Sequence, residues 1–143
     1  GPEKDLIENY IVRFNRTGRP LGLGPAEFTE LEDKKGGGKM AEGALLSKAI
    51  PSGAVVIALD EHGILQASPD FAQNLARIRD QAPSELIFVI GGANGLAPEV
   101  LARADAKLSF GKMVWPHMLA RVMLTEQLYR AASILSGGPY HRI

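Results

Sequence analysis

The 143-residue chain contains no cysteine. That excludes disulfides, thiolate-held zinc, iron–sulfur clusters and a cysteine nucleophile. No apolar run approaches the roughly 18 residues of a membrane span. The charged opening Gly1-Pro-Glu-Lys-Asp5 is not a signal-peptide pattern, so a cytoplasmic protein without a membrane partner is expected. GxGxxG is missing, as is the Lys-Ser/Thr of a P-loop, which leaves a nucleoside triphosphatase little support. Net charge is also missing, with 16 basic and 16 acidic residues. What remains is ordinary for a globular chain: 45% hydrophobic and 22% charged residues. The length suits one domain spanning 1–143, able to bury roughly two-thirds of its unfolded surface.

The zero net charge hides an asymmetry. Residues 1–40 carry seven charges of each sign. Residues 41–100 carry three basic and seven acidic, a net of −4, and residues 101–143 six basic and two acidic, a net of +4. A basic C-terminal third suits a polyanion, although such patches also occur without a partner.

Leu6, Ile7, Tyr10, Ile11 and Phe14 recur at helical spacing and predict a helix over 3–14. Glycines and prolines make 15–26 a loop, Glu27–Asp33 reads as a short strand, and 34–39 as a charged flexible loop. A second helix is expected over Met40–Ile50 with Ala41, Leu45, Leu46 and Ala49 inward. Val55-Val-Ile-Ala-Leu59 and Leu86-Ile-Phe-Val-Ile90 are continuous apolar runs of the kind buried on both faces of a parallel sheet. Ser68-Pro69 reads as a capped helix start, with Phe71, Leu75 and Ile78 on one face. Pro98 opens a short helix to about Ala104, and 107–110 and 113–115 read as extended pieces. Pro116 starts the longest helix, with Leu124, Leu128, Ala131 and Leu135 on one stripe, until Gly137-Gly138 stops it. Buried strands alternating with helices mean an α/β fold, a mostly parallel sheet flanked by helices.

Ligands of open α/β sheets bind outside the carboxyl ends of the strands. That rule points to Leu59-Asp60 and to Gly91-Gly-Ala-Asn-Gly95. The glycine pair either admits a ligand to the backbone or makes a tight strand-to-helix turn. Lys112-Met-Val-Trp-Pro-His117 leads into the long helix, where His117 could meet a ligand and Trp115 could flank an aromatic ring or fill the core. Arg130 forms an i,i+4 pair with Glu126, a surface salt bridge or a phosphate contact. The tail Pro139-Tyr-His-Arg142 gathers stacking, proton-transfer and anion-recognition chemistry where termini are usually bland.

Taken together, Leu59-Asp60, Gly91-Gly-x-x-Gly95-Leu96, Pro116-His117, Gln127-Leu-Tyr-Arg130 and Pro139-Tyr-His-Arg142 resemble the ribosomal RNA large-subunit methyltransferase H family of the SPOUT superfamily. The match runs in order over essentially the whole chain. The resemblance implies a SPOUT fold whose C-terminal part forms a trefoil knot, a homodimer, and S-adenosylmethionine as cofactor. It implies no metal. It implies methylation of N3 of a pseudouridine in the helix 69 loop of 23S rRNA, on assembled ribosomes. The implied cofactor positions are Leu59, Gly91, Phe110, Gly111, Lys112, Met113, Val114 and Trp115. Gly91→Val is expected to abolish cofactor binding by filling ligand space while leaving the fold largely intact.

His117 and Arg130 are the implied RNA contacts, and Tyr140, His141 and Arg142 the catalytic group. Arg142 would stabilise charge on the base carbonyls, His141, or water in its place, would accept or relay the N3 proton, and Tyr140 would stack on or position the base. Family members begin with a strand and glycine-containing turn that precede the point where this chain starts. Two rival readings are a SPOUT methyltransferase acting on tRNA and a non-catalytic RNA-binding module. The absence of an added RNA-binding domain weighs against the first. The intact Gly91-Gly92 turn and Tyr-His-Arg tail weigh against the second.

Overall fold

Three parallel strands set the geometry of the candidate site. The computed structural model describes residues 1–31, 35–92 and 94–141. Its elements are α1 (Pro2–Gly18), a short 3-10 helix (Arg19–Leu21), α2 (Gly38–Ala49), β1 (Val55–Leu65), α3 (Ser68–Asp80), β2 (Leu86–Val89), α4 (Pro98–Arg103), β3 (Ala106–Ser109) and α5 (His117–Ser136). The chain divides into two compact units. One comprises Gly1–Phe28, Gln66–Ala82 and Met118–Ile143; the other comprises Thr29–Leu65 and Pro83–His117.

The second unit holds the sheet, in order β2-β1-β3, parallel throughout as the apolar runs predict. Central β1 buries Val56, Ile57 and Ala58, because a middle strand of a parallel sheet has no solvent face. Val56, Ala58, Val89, Ala97 and Val100 form its core, with Leu46, Ile50 and Ile87 packed around them. At the amino end of β1, Asp105 clamps the strand: its carboxylate accepts from Val56 N (2.8 Å) and its own N–H donates to Val56 O (2.8 Å). Arg103 adds a bond to Ala54 O (2.9 Å).

β1 does not stop at Asp60. Leu59 and Ile64 both pair with Leu108 of β3, so residues 60–63 are extra on the β1 side of the ladder. A Cβ on Gly63 would lie 2.6 Å from Lys107 C and 2.7 Å from Leu108 N. Glycine is required there because the β3 backbone passes too close for a side chain. Gly63→Ala is expected to cost about 1–3 kcal/mol, the usual price of forced overpacking. It should lower the urea midpoint without changing the slope; an unchanged midpoint would contradict this packing.

In the other unit, Phe14, Leu23 and Ala132 form a core with Leu128, Tyr129 and Leu135 packed against it. Phe71, Leu75 and Ile78 are buried along α3, and Leu124 and Ala131 along α5, as their spacing predicts. Some expectations are corrected. The first helix runs on to Gly18, and Asn15 then holds the returning chain, accepting from Ala26 N at 2.6 Å. Glu27–Leu31 is not a strand and joins neither outer edge of the three-stranded sheet; Glu32 and Asp33 lie outside the described residues.

In α2, Leu45 and Ala49 are exposed; the inward residues are Gly43, Leu46 and Ile50. Gly43 faces Ala97 so closely that a Cβ would meet the alanine methyl at 2.5 Å. Small size selects that face of the helix. Ala67, not Ser68, caps α3, and the Ser68 hydroxyl instead donates to Gln127 Oε1 (2.7 Å). Met113–Trp115 forms no strand. Among the described residues, no helix is long and apolar enough to cross a membrane.

Candidate active site

The carboxyl end of the sheet collects the first group of residues. β1 carries Leu59, the chain after β2 leads through Ile90 to Gly91, and the chain after β3 leads to Phe110 and Gly111. The Gly91–Gly95 segment closes on itself: Gly95 N donates to Gly92 O (3.0 Å), and Gly95 adopts φ +78°, the left-handed region that favours glycine. A Cβ on Gly91 would lie 2.5 Å from Gly95 C and 2.7 Å from Gly95 O. This corrects the reason for glycine at 91. The turn's own backbone excludes a side chain, whether or not a ligand is present.

Two residues that sequence reasoning missed also shape this end. Ser109 is buried, and its hydroxyl lies 3.1 Å from both Glu61 O and Gly111 O while accepting from Gly111 N (3.0 Å). Having one proton, it donates to one carbonyl at a time. It thereby ties the Asp60–Gly63 excursion to the loop after β3. Glu42 of α2 overlies the glycine turn, with Oε2 3.0 Å from where a Gly92 Cβ would sit. Beyond Gly111 the segment is exposed despite its character: Met113 is 75%, Val114 86% and Trp115 42% accessible. These three contribute apolar surface outside the core. His117, half-buried, opens α5.

The second group lies in the other unit. Gly137, at φ +77°, ends α5, and the tail doubles back along the helix. The Tyr140 hydroxyl donates to Glu126 Oε2 (2.8 Å), and its ring packs on Tyr129 at 4.6 Å between centroids. Arg130 donates Nη2 to the same Glu126 oxygen (2.6 Å) and lies 4.9 Å from the Tyr140 ring centroid. Its Nη1 reaches His141 Nδ1 (3.1 Å). Gln127 adds a bond to Glu126 Oε1 (3.0 Å). Tyr129 also faces Tyr10 of α1, with Arg13 5.8 Å from its ring centroid. Arg130, Tyr140 and His141 are therefore assembled around one carboxylate. Arg142 lies outside the described residues.

The hydrogen bond to Glu126 raises the Arg130 pKa above its ordinary value. Burial, then the hydrogen bond to Glu126, pushes the Tyr140 phenol up. An unfolded tyrosine ionises near pH 10, about the usual value. Above it the unfolded chain releases a proton that the native Tyr140 keeps. The stabilisation is thus fully present below about pH 10 and lost as pH rises towards the folded value. Alkaline unfolding should become shallower in Tyr140→Phe, and that variant should lose the latest tyrosinate absorbance. An equally steep alkaline loss in the variant would contradict the burial of this phenol.

Among the described residues, no group of three or more histidine, aspartate or glutamate side chains is placed to hold a metal ion. The family model described as "Predicted SPOUT methyltransferase" matches residues 1–141. The chain is similar to proteins named ribosomal RNA large subunit methyltransferase H. It is 64% identical to that of Dinoroseobacter shibae, covering all of this chain and 92% of the relative. It is 61% identical to that of Ruegeria pomeroyi and 58% to one from Cereibacter sphaeroides, with the same coverage. Among solved structures, the SpoU methyltransferase AviRb from Streptomyces viridochromogenes, in complex with AdoMet, matches at a TM-score of 0.40 and 17% identity. That match covers 85% of this chain and 55% of AviRb.

Proposed function

The chain belongs to the SPOUT methyltransferase family, and from that premise we propose that it methylates large-subunit ribosomal RNA, at N3 of a pseudouridine in the helix 69 loop of 23S rRNA. The observation that carries this reading is the 64% identity, over the full length of the chain, to a relative named for that RNA. On this reading the enzyme acts in the cytoplasm on assembled ribosomes, as a homodimer whose C-terminal part is knotted. The exposed Leu119 and the neighbouring Met123 of α5 would supply apolar contacts between the two copies.

S-adenosylmethionine, when bound, supplies an electrophilic methyl group. The residues at the sheet's carboxyl end fit such a group. The Gly91–Gly95 turn carries no side chain at Gly91, Gly92 or Gly95, so backbone groups can approach a ligand. Met113, Val114 and Trp115 offer exposed apolar and aromatic surface to an adenine ring. The Glu42 carboxylate over Gly92 suits a positively charged ligand. Leu59, Phe110, Gly111 and Lys112 would complete the enclosure.

The tail residues suit the target base. N3 must lose a proton, to His141 or to water, and the resulting charge spreads onto the flanking carbonyl oxygens. A guanidinium at Arg142 would stabilise that charge, since arginine stays protonated. Tyr140 would position the base, and His117 and Arg130 would face the RNA. Calorimetric titration with S-adenosylmethionine separates this reading from a non-catalytic RNA-binding module. Micromolar binding is expected, and no binding would favour the module. Ribosomes should be methylated much faster than a synthetic hairpin; equal rates would count against recognition of the assembled particle.

A further inference from the structure

We propose that Glu126 is a positioning residue for the reaction: it holds Arg130 against His141 so that the imidazole stays neutral with its proton on Nε2, a hydrogen-bond donor to the target base. The inference rests on the activity proposed above, but its geometry lies wholly within α5 and the tail.

A guanidinium nitrogen can only donate. The 3.1 Å contact between Arg130 Nη1 and His141 Nδ1 therefore requires a lone pair on Nδ1. A neutral imidazole with Nδ1 as acceptor carries its proton on Nε2. Arg130 is fixed in this pose from its other side. Nη2 donates to Glu126 Oε2 at 2.6 Å, and Nε lies 3.4 Å from Oε1, a two-pronged pairing that sets the plane of the fork.

Glu126 is itself held by Tyr140 and Gln127, and the pair is mostly shielded, with 17% of the glutamate and 25% of the arginine side chain accessible. One carboxylate thus orients three groups at once: a phenol, a guanidinium and, through it, a histidine tautomer. With Nδ1 engaged, the remaining ring nitrogen offers a proton instead of taking one. His141 would then donate to the carbonyl charge that develops on the base, and the N3 proton would pass to water, in place of the proton acceptor that the resemblance suggests.

Nitrogen-15 NMR of the imidazoles in the free protein reads the tautomer without any substrate, with His62→Gln and His117→Gln assigning the other two rings. The expected wild-type spectrum has His141 Nδ1 bare and Nε2 protonated. In Glu126→Gln, which keeps an acceptor for Tyr140 but loses the counter-charge, the tautomers should mix. Its kcat on ribosomes should fall at least tenfold, while S-adenosylmethionine affinity and KM for ribosomes stay within about threefold. Glu126→Asp, which keeps the charge, should recover part of the loss. Should the glutamine variant fail to fold, Arg130→Lys, which lacks the fork, is read by the His141 tautomer alone, which should mix.

A wild-type His141 protonated on Nδ1, or a folded Glu126→Gln with wild-type kcat and tautomer, would overturn the assignment. Wild-type protein that transfers no methyl group to ribosomes would instead defeat the proposed activity. The His141 spectrum would still decide the positioning role.

Discussion

Deleting Tyr140–Ile143 is expected to cut methyl transfer to ribosomes by about 10²-fold or more, the scale on which a transition-state donor or positioned base contributes. S-adenosylmethionine affinity should stay within a few-fold. The described contacts of the tail run to α5 and, through Tyr129, to α1: Tyr140 with Glu126 and Tyr129, His141 with Arg130. The proposed cofactor residues belong instead to the strand ends and the 110–115 segment. The tail's chemistry also suits a pyrimidine better than a sulfonium, because an arginine repels a cation and attracts carbonyl charge.

Arg142→Ala alone should reproduce much of the loss. The competing view is that the tail serves only to cover the cofactor. Truncation would then weaken cofactor binding, and excess cofactor would restore the rate. Turnover at saturating cofactor, with affinity from calorimetry, decides between them; rescue by excess cofactor would contradict the assignment.

The second large effect is expected at Gly91. A methyl group there would sit 2.5 Å from the Gly95 carbonyl carbon, which belongs to backbone and cannot swing aside. Opening the turn to admit it costs about 1–3 kcal/mol by the usual scale of overpacking. If binding requires the closed turn, that energy must be returned on binding. Gly91→Ala should then bind S-adenosylmethionine about 10–100-fold more weakly, at roughly 1.4 kcal/mol per decade. Its melting temperature should also fall by several degrees, because the cost of opening the turn is carried by the free protein. A variant with both wild-type affinity and wild-type stability would show that the turn tolerates a side chain and is not part of the site.

Features set by local interactions are legible in the sequence, and those set by distant partners are not. The two strands were legible because five consecutive apolar residues have few other uses, and the glycine stops at 91 and 137 because few other residues end an element so abruptly. Only central β1 is the buried strand expected, since β2 lies at the sheet edge and buries Val89 alone. The inner face of α2 was misread: hydrophobicity pointed to Leu45 and Ala49, whereas close approach to Ala97 selects Gly43.

Ser109 could not be singled out, because its partner Glu61 is 48 residues away and nothing local marks the tie. Glu126 was visible only as an i,i+4 partner of Arg130. Its bond to Tyr140 bridges 14 residues and depends on the tail turning back at Gly137. The tail motif marked the polar residues, but the carboxylate that organises them emerges only in three dimensions.

The central claim is the target atom. The most direct measurement incubates assembled ribosomes lacking this modification with the protein and methyl-labelled S-adenosylmethionine, then maps the label by nuclease digestion and mass spectrometry. The account predicts a single labelled nucleotide, a pseudouridine in the helix 69 loop of 23S rRNA methylated at N3. Label at another nucleotide, at another atom of that base, or nowhere despite measurable cofactor binding would contradict it.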